Sequence, residues 1–341
     1  EDGMVAAASS VGYGGLAEAL FKMGLGNRIG FKMMNNMTTH DMFKPMYGSI
    51  VLEMVSDAPA GELLGETTAD YTFECCGDKL DMAQLQEIWE SKLEPVYPYR
   101  KAGPAVEKIN GSLTAPAAPK IGVAKPKVII PVFPGTNCEY DTAKAFARAG
   151  ADPEILVIRN LTPADVAESC KALVKAIDNS QIVMLPGGFS GGDEPDGSAK
   201  FIASFFRNPE VTEAVRRLLQ QRDGLMLGIC NGFQALIKLG LVPYGDIRSI
   251  TPYDPTLTFN TIGRHQSMLV RTRIASTGSP WLSKCEVGEQ FTVAISHGEG
   301  RFVAPQEVLD TLMKNGQIAT QYVDIEGNPT IDQSYNPNGS V

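Results

Sequence analysis

The sequence predicts an α/β protein: a doubly wound, mainly parallel sheet preceded by a smaller α+β domain. Three observations carry this expectation. Beyond residue 127, short apolar runs alternate with helix-patterned segments, the mark of parallel strands joined by covering helices. From Lys101 to Lys127 the chain is rich in Ala, Pro, Gly and Lys and follows no period, which reads as a linker. At 341 residues the chain also exceeds one ordinary core, since a domain takes roughly 100–200 residues. The expected division is 1–101 for the first domain, 102–126 for the linker and 127–341 for the second domain.

In the amino-terminal part, Gly14-Gly15-Leu16-Ala17-Glu18-Ala19-Leu20-Phe21-Lys22-Met23 predicts a glycine-initiated helix, and Tyr47 to Glu53 a strand. A glycine pair ahead of a helix is able to cradle a phosphate, but a tight turn is the commoner use. After the linker, Val128 to Phe133 predicts the first parallel strand, followed by the turn Pro134-Gly135 and a helix from about Asp141 to Arg148 that Gly150 ends. Ile155 to Ile158 is the second strand; Thr162-Pro163 supplies a cap and a first-turn proline. Ile182 to Leu185 leads into Pro186-Gly187-Gly188-Phe189-Ser190, and Asn208-Pro209 opens a helix with Val211, Val215, Leu218 and Leu219 on one face. Past Asp246, Met268 to Ile274, Phe291 to Ile295 and Ile318 to Val323 read as antiparallel additions that return His297 to the cleft.

Composition narrows the function. A net charge of −9 with a pI near 5.0 leaves no broad basic surface for phosphates, so a small-molecule substrate is expected and nucleic acid is not. The six cysteines, Cys75, Cys76, Cys138, Cys170, Cys230 and Cys285, lack metal or disulfide-framework spacing and are expected to be reduced thiols. The adjacent Cys75-Cys76 pair is assigned no redox task, because neighbouring cysteines bridge only with strain. Asp193, Glu194 and Asp196 read as a solvated loop, and no metal site is expected. With no apolar run of about 18 residues and no signal-peptide order at the amino terminus, a cytoplasmic protein without a membrane partner is expected. Both ends read as cut from something longer.

The chemistry concentrates at Gly228-Ile229-Cys230-Asn231-Gly232, a cysteine in a glycine-x-nucleophile-x-glycine frame between the apolar run Leu225-Met226-Leu227 and the helix-like run Phe233 to Ile237. A nucleophile at a sharp strand-to-helix turn stands clear of the sheet. Of the three histidines, His297 alone stands at a strand end two residues from a carboxylate, Glu299. His40 and His265 have no such neighbour and are assigned core or surface roles. Cys230 would attack a carbonyl carbon, His297 would take the thiol proton and Glu299 would hold the imidazole in its tautomer. Asn231 N–H and Gly188 N–H are the oxyanion donors expected, each typically worth roughly 3–4 kcal/mol of barrier. The positive end of the helix starting at Asn231 would favour negative charge at the same place. Such a site fits acyl transfer from an amide or ester.

Five motifs together carry a resemblance. Gly228 to Gln234, Leu185 to Ser190 and Ser296-His297-Gly298-Glu299-Gly300-Arg301 resemble the class I, triad-bearing glutamine amidotransferases. Pro134-Gly135-Thr136-Asn137-Cys138-Glu139 and Tyr335-Asn336-Pro337-Asn338-Gly339-Ser340 narrow it to the glutaminase domain of the phosphoribosylformylglycinamidine synthase family. The resemblance covers roughly residues 127 to 341. It implies a glutamyl thioester on Cys230, a triad completed by His297 and Glu299, an oxyanion held by Gly188 and Asn231, and Gly187, Phe189 and Gln234 near the glutamine. It further implies that ammonia passes to a synthetase site where ATP and magnesium activate formylglycinamide ribonucleotide, with no cofactor in the glutaminase domain itself.

Residues 1 to about 100 are similar, chiefly through Gly14 to Leu20, to the carboxyl-terminal domain of aminoimidazole ribonucleotide synthetase. Related domains carry His-Asp-x-Ser-x-Gly-Gly-Leu, whereas this chain has Ser9-Ser10-Val11-Gly12-Tyr13-Gly14-Gly15-Leu16, so the segment is expected to be structural. The remaining synthetase domains would be the partner. Two rivals belong to other classes: a cysteine hydrolase or peptidase on the same scaffold, and a catalytically silent binding module.

Overall fold

The computed structural model describes residues 4–56, 61–94, 106–111, 113, 122–192 and 198–340. By its internal contacts the chain divides into two compact units, Glu1–Pro98 and Tyr99–Val341.

The first unit contains β1 (Val5–Ser10), α1 (Gly15–Leu25), β2 (Gly30–Met33), α2 (Thr39–Phe43), β3 (Ile50–Met54), β4 (Gly65–Thr68), β5 (Thr72–Cys75), β6 (Asp78–Asp81) and α3 (Met82–Ser91). β1 pairs antiparallel with β3, and a second sheet runs β4-β2-β5-β6. α1 begins where the glycine pair predicts, and Glu18 accepts from Gly14 N–H at 2.9 Å, closing the turn from within. α2 starts on a reciprocal capping box between Thr38 and Asp41, and α3 on the Asp81 carboxylate. Leu16, Leu20, Phe31, Met42, Phe73 and Met82 close the core. The segment Ser9 to Leu16 is thus the end of a strand and the entry to α1.

The second unit holds β7 (Lys127–Val132), α4 (Glu139–Arg148), β8 (Asp152–Val157), α5 (Pro163–Asp178), β9 (Ile182–Leu185), α6 (Lys200–Phe206), α7 (Pro209–Arg216), β10 (Leu225–Gly228) and α8 (Asn231–Leu239). The strands form one parallel sheet in the order β10-β9-β7-β8. Both faces are covered, which explains why the strands read as unbroken apolar runs. Ile129, Val183 and Leu185 enter one core with Leu173, Phe206, Val215 and Leu236, while Val128, Ile130 and Met184 enter the opposite one with Phe146 and Leu227. Fully burying one such side chain contributes about 1.5–3 kcal/mol.

The sequence reading did not anticipate α2 and α3 in the first unit, nor α6 and α10 (Gln306–Lys314) in the second. The short segment α9 (Leu241–Tyr244) leads to β11 (Thr256–Phe259), β12 (Gln266–Ile274), β13 (Gln290–His297), β14 (Glu299–Val303), α10 (Gln306–Lys314) and β15 (Thr320–Val323). β12 pairs antiparallel with β13 and β15, and β11 pairs antiparallel with β14.

The stretch expected to be a linker is not free along its whole length. Ile109 is buried, its N–H donates to Gln321 and its carbonyl accepts from Arg273; Gly111 N–H donates to the Ala275 carbonyl. The reason lies in Arg273 and Gln321, buried polar side chains on β12 and β15 that require partners. The rest of the expected linker, apart from residues 106–111, 113 and 122–126, lies outside the described residues, as do Asp193, Glu194 and Asp196. Among the described residues no helix is long and apolar enough to cross a membrane.

Candidate active site

The carboxyl ends of β7, β9 and β10 set the site. The chain leaves β7 to one side for β8 and to the other for β9, so a crevice opens at this switch point. Its walls are the loops after β7 and β9, which pair with each other. Asn137 N–H donates to Gly187 O at 2.9 Å, and Phe189 N–H donates to Gly135 O at 2.8 Å. Gly188 sits between them at φ +136°, and a Cβ there would lie 2.6 Å from both Asn137 N and Gly135 O. Only glycine fits this bridge. The Gly188 N–H makes no hydrogen bond among the described residues, leaving a backbone donor available at the crevice.

Cys230 lies two residues past the end of β10, at the N-cap position of α8, with φ +54° and ψ −110°. A non-glycine residue in so sparsely populated a region carries on the order of 1–3 kcal/mol of strain, which the surroundings must hold in place. The holding contact is the glycine pair of the motif. A Cβ on Gly228 would lie 2.6 Å from the Gly232 carbonyl, and one on Gly232 would lie 2.0 Å from Leu185 O. α8 therefore turns directly off β10 and against β9, leaving Cys230 exposed. The loop after β9 is adjacent: a Cβ on Gly187 would be 3.3 Å from Cys230 Cβ.

His297 ends β13 and Glu299 begins β14, with Gly298 between them. Asn260, 3 % exposed, organises that crossing. Its N–H donates to Gly298 O at 2.9 Å, and its Nδ2 donates to His297 O at 2.8 Å and to Arg264 O at 2.9 Å. Its Oδ1 lies 2.9 Å from His297 Nδ1. The carboxylate of Glu299 accepts from the Ser198 hydroxyl, just ahead of α6. Among the described residues, no hydrogen bond joins His297 to Glu299, or either side chain to Cys230. Among the described residues His297 Nε2 is closed to solvent and has no hydrogen-bond partner. Burial of the ring, with a smaller effect of His265, pushes the His297 pKa below its usual value, which favours the neutral imidazole.

The other predicted residues fall into two groups. Gly187, Gly188 and the exposed Phe189 line the loop beside Cys230. Asn231 and Gln234 are 1 % and 8 % exposed and are engaged inside the protein. Asn231 accepts from Ser190 N–H and donates to Gln234, and Gln234 donates to the Glu299 carbonyl at 3.3 Å. His265 lies on the surface against Ser296. Asn260, Ser198 and Asn338 were not picked out from the sequence. Asn338 donates to Gly300 O at 3.1 Å and to the Tyr322 hydroxyl at 3.0 Å, fixing the strand after Glu299. Its motif signalled a family but not that contact, and a lone asparagine after a strand gives no spacing signal. Among the described residues no group of three or more His, Cys, Asp or Glu side chains gathers to hold a metal.

A family model described as a CobB/CobQ-like glutamine amidotransferase domain matches residues 125–341. The phosphoribosylformylglycinamidine synthase subunit PurQ of Methanococcus maripaludis is 34% identical over 224 residues, 63% of this chain and 74% of that one. The protein of the same name from Aquifex aeolicus is 34% identical over 217 residues, 63% of this chain and 81% of its own. A solved structure of PurLQS from Thermotoga maritima aligns over 62% of this chain and 84% of that chain at 23% identity, with a TM-score of 0.43. By the extent of the family match and the identity to these relatives, the chain belongs to the glutamine amidotransferases of the CobB/CobQ-like family.

Proposed function

We propose that residues 127–341 hydrolyse glutamine through Cys230 and supply ammonia for the ATP-dependent conversion of formylglycinamide ribonucleotide to formylglycinamidine ribonucleotide, in the cytoplasm. The observation that carries this is the strained Cys230 elbow beside an uncommitted Gly188 N–H at the carboxyl end of a parallel sheet. The relatives, subunits of phosphoribosylformylglycinamidine synthase, support this destination for the ammonia.

In this reading the Cys230 thiol yields its proton to His297 as sulfur bonds to the δ-carbonyl carbon of glutamine. The carbonyl π pair moves onto oxygen, where Gly188 N–H and Asn231 N–H receive it. Collapse of the tetrahedral species breaks the C–N bond, and the nitrogen takes the proton from His297 and leaves as ammonia. Water, deprotonated by the same imidazole, then releases glutamate from the thioester. Glu299 completes the triad and Phe189 borders the bound glutamine. The Ser198 hydroxyl donates to the Glu299 carboxylate.

The amino-terminal unit is read as the carboxyl-terminal domain of a synthetase similar to aminoimidazole ribonucleotide synthetase. Support comes from the glycine pair that opens α1. ATP and magnesium belong to the remaining synthetase domains, and no step of the glutaminase runs through them.

Labelling with a glutamine-like diazoketone and peptide mass spectrometry tests the reading. Modification at Cys230, with glutamate and ammonia as products from glutamine, is expected. Modification at Cys138 or Cys285 instead, or cleavage of peptides without release of ammonia, overturns it.

A further inference from the structure

We infer that the first unit carries a site for a soft, monovalent cation of the copper(I) class, with the Cys75 and Cys76 sulfurs and the Met33 and Met37 thioethers as its ligands. The inference is independent of the glutaminase reading and concerns residues that the proposed chemistry does not use.

The observations start at the tip of the β5–β6 hairpin. Cys75 pairs with Asp78, so Cys76 and Gly77 are the two central residues of the turn, at φ +55° and φ +87°. A two-residue turn with both φ values positive favours Asn, Asp or Gly at its first central position. Cys76 occupies that position at a steric cost, and residues held in such conformations gather where function uses them. Cys76 is exposed, Cys75 is half-buried, and their side chains interact. The loop that follows β2 lies against this hairpin. Met37 O accepts from the Cys76 thiol at 3.4 Å, and Met33, Met37 and Cys75 pack on the same core. Loop and hairpin together line a cavity of about 700 Å³. Met33-Met34-Asn35-Asn36-Met37 gathers three of the 13 methionines of the chain. Because Met37 lies 39 positions before Cys76, residue spacing alone does not announce the set.

The donors select the ion. Thiolate and thioether sulfur are soft ligands, and they favour copper(I). Structural zinc takes four ligands from Cys, His and carboxylates, and among the described residues no three such side chains gather. Calcium and magnesium need an array of oxygens. Of the two carboxylates that line the cavity, Glu74 is held by Lys79 at 2.6 Å, which leaves Asp78. A separate observation points to an occupant. Among the described residues Asn35 Nδ2 and Oδ1, in the wall of the same cavity, are closed to solvent and have no hydrogen-bond partner. A buried amide without a partner is costly, and its N–H is a donor of the kind that steadies the ligands of a bound metal.

The test is an oxygen-free copper(I) titration of the full chain against a chromophoric copper(I) chelator. Cys138→Ser, Cys230→Ser and Cys285→Ser are introduced together, leaving Cys75, Cys76 and the buried Cys170. One ion per chain is expected to be withheld from the chelator, and X-ray absorption at the copper edge should show a shell of sulfur alone. Asn35→Ala should weaken retention roughly tenfold, and Cys76→Ser by more than the roughly 10–100-fold that follows loss of an outer partner. Met33→Leu with Met37→Leu, which conserves apolar volume, should lower the sulfur count. If thermal melts show Cys76→Ser unfolded, Cys76→Gly, which suits the turn, takes its place. No ion withheld, or equal retention after loss of the Cys76 sulfur, overturns the inference. Displacement of copper(I) by an equal concentration of zinc(II) overturns it as well. A sulfur count unchanged by both methionine substitutions would reveal a bare dithiol and sink the ligand set.

Discussion

The side-chain amide of Gln234 donates to the main-chain carbonyl of Glu299 at 3.3 Å, tying the helix that begins at Cys230 to the strand that follows His297. These residues lie 65 positions apart in the chain, and in the proposed mechanism this bond helps set Cys230 relative to His297. Gln234→Ala is expected to cost about 1 kcal/mol of stability, the net value of a part-buried hydrogen bond, and to lower the labelling rate of Cys230 by more than that loss accounts for. Equal rates in both proteins, measured below the melting transition, would show that the bond has no part in aligning the site.

Gly232→Ala is expected to be more damaging than its size suggests. A Cβ there would lie 2.0 Å from Leu185 O, a backbone atom of β9 with no freedom to swing away. Overpacking typically costs about 1–3 kcal/mol, and here the relief must come from displacing α8 and Cys230 with it. Thermal melts and labelling should fall together.

Cys230→Gly should separate stability from activity. Glycine reaches φ +54° without the steric penalty that cysteine bears, so this variant is expected to melt higher than Cys230→Ala while both lack glutaminase activity. The gain should be on the order of 1 kcal/mol after the larger unfolded-state entropy of glycine is set against the relieved strain. A lower melting point for the glycine variant would show that the elbow is unstrained.

The pH dependence follows from His297. Burial lowers its pKa from the ordinary 6.5, so the acid limb of glutaminase kcat/KM is expected below pH 6.5. For stability the native state binds fewer protons than the unfolded chain in that interval. The contribution of the neutral ring is therefore complete above pH 6.5 and is lost as pH falls through the folded-state value. His297→Gln should flatten that part of the curve of stability against pH. His265→Asn, which removes a neighbouring positive charge at low pH, should move the acid limb upward. A limb unmoved by either variant would show that another group controls it.

Much of the second unit was legible in the sequence because its strands are buried on both faces, and such strands appear as apolar runs with no need of partners. Val128 to Val132 and Ile182 to Leu185 are of this kind. The elbow was legible as well, since Gly228 and Gly232 record in two residues a contact that forms within one turn. α6 escaped because it follows a loop and has no capping side chain. Residues 106–111 escaped because an irregular segment bound through its backbone leaves no pattern in its side chains.

The sequence by itself determined which groups are proposed to carry the chemistry: a cysteine in a glycine frame, a glycine loop able to approach it and a histidine two residues from a carboxylate. All of these rest on local geometry, and local geometry is written in adjacent residues. Only the tertiary structure decided which neighbour each group takes. It set Asn260 against the imidazole and Ser198 against Glu299. Hydrogen-bond partners across a fold are chosen by how strands cross and which donors remain after the backbone is satisfied, and neither condition leaves a trace in residue order.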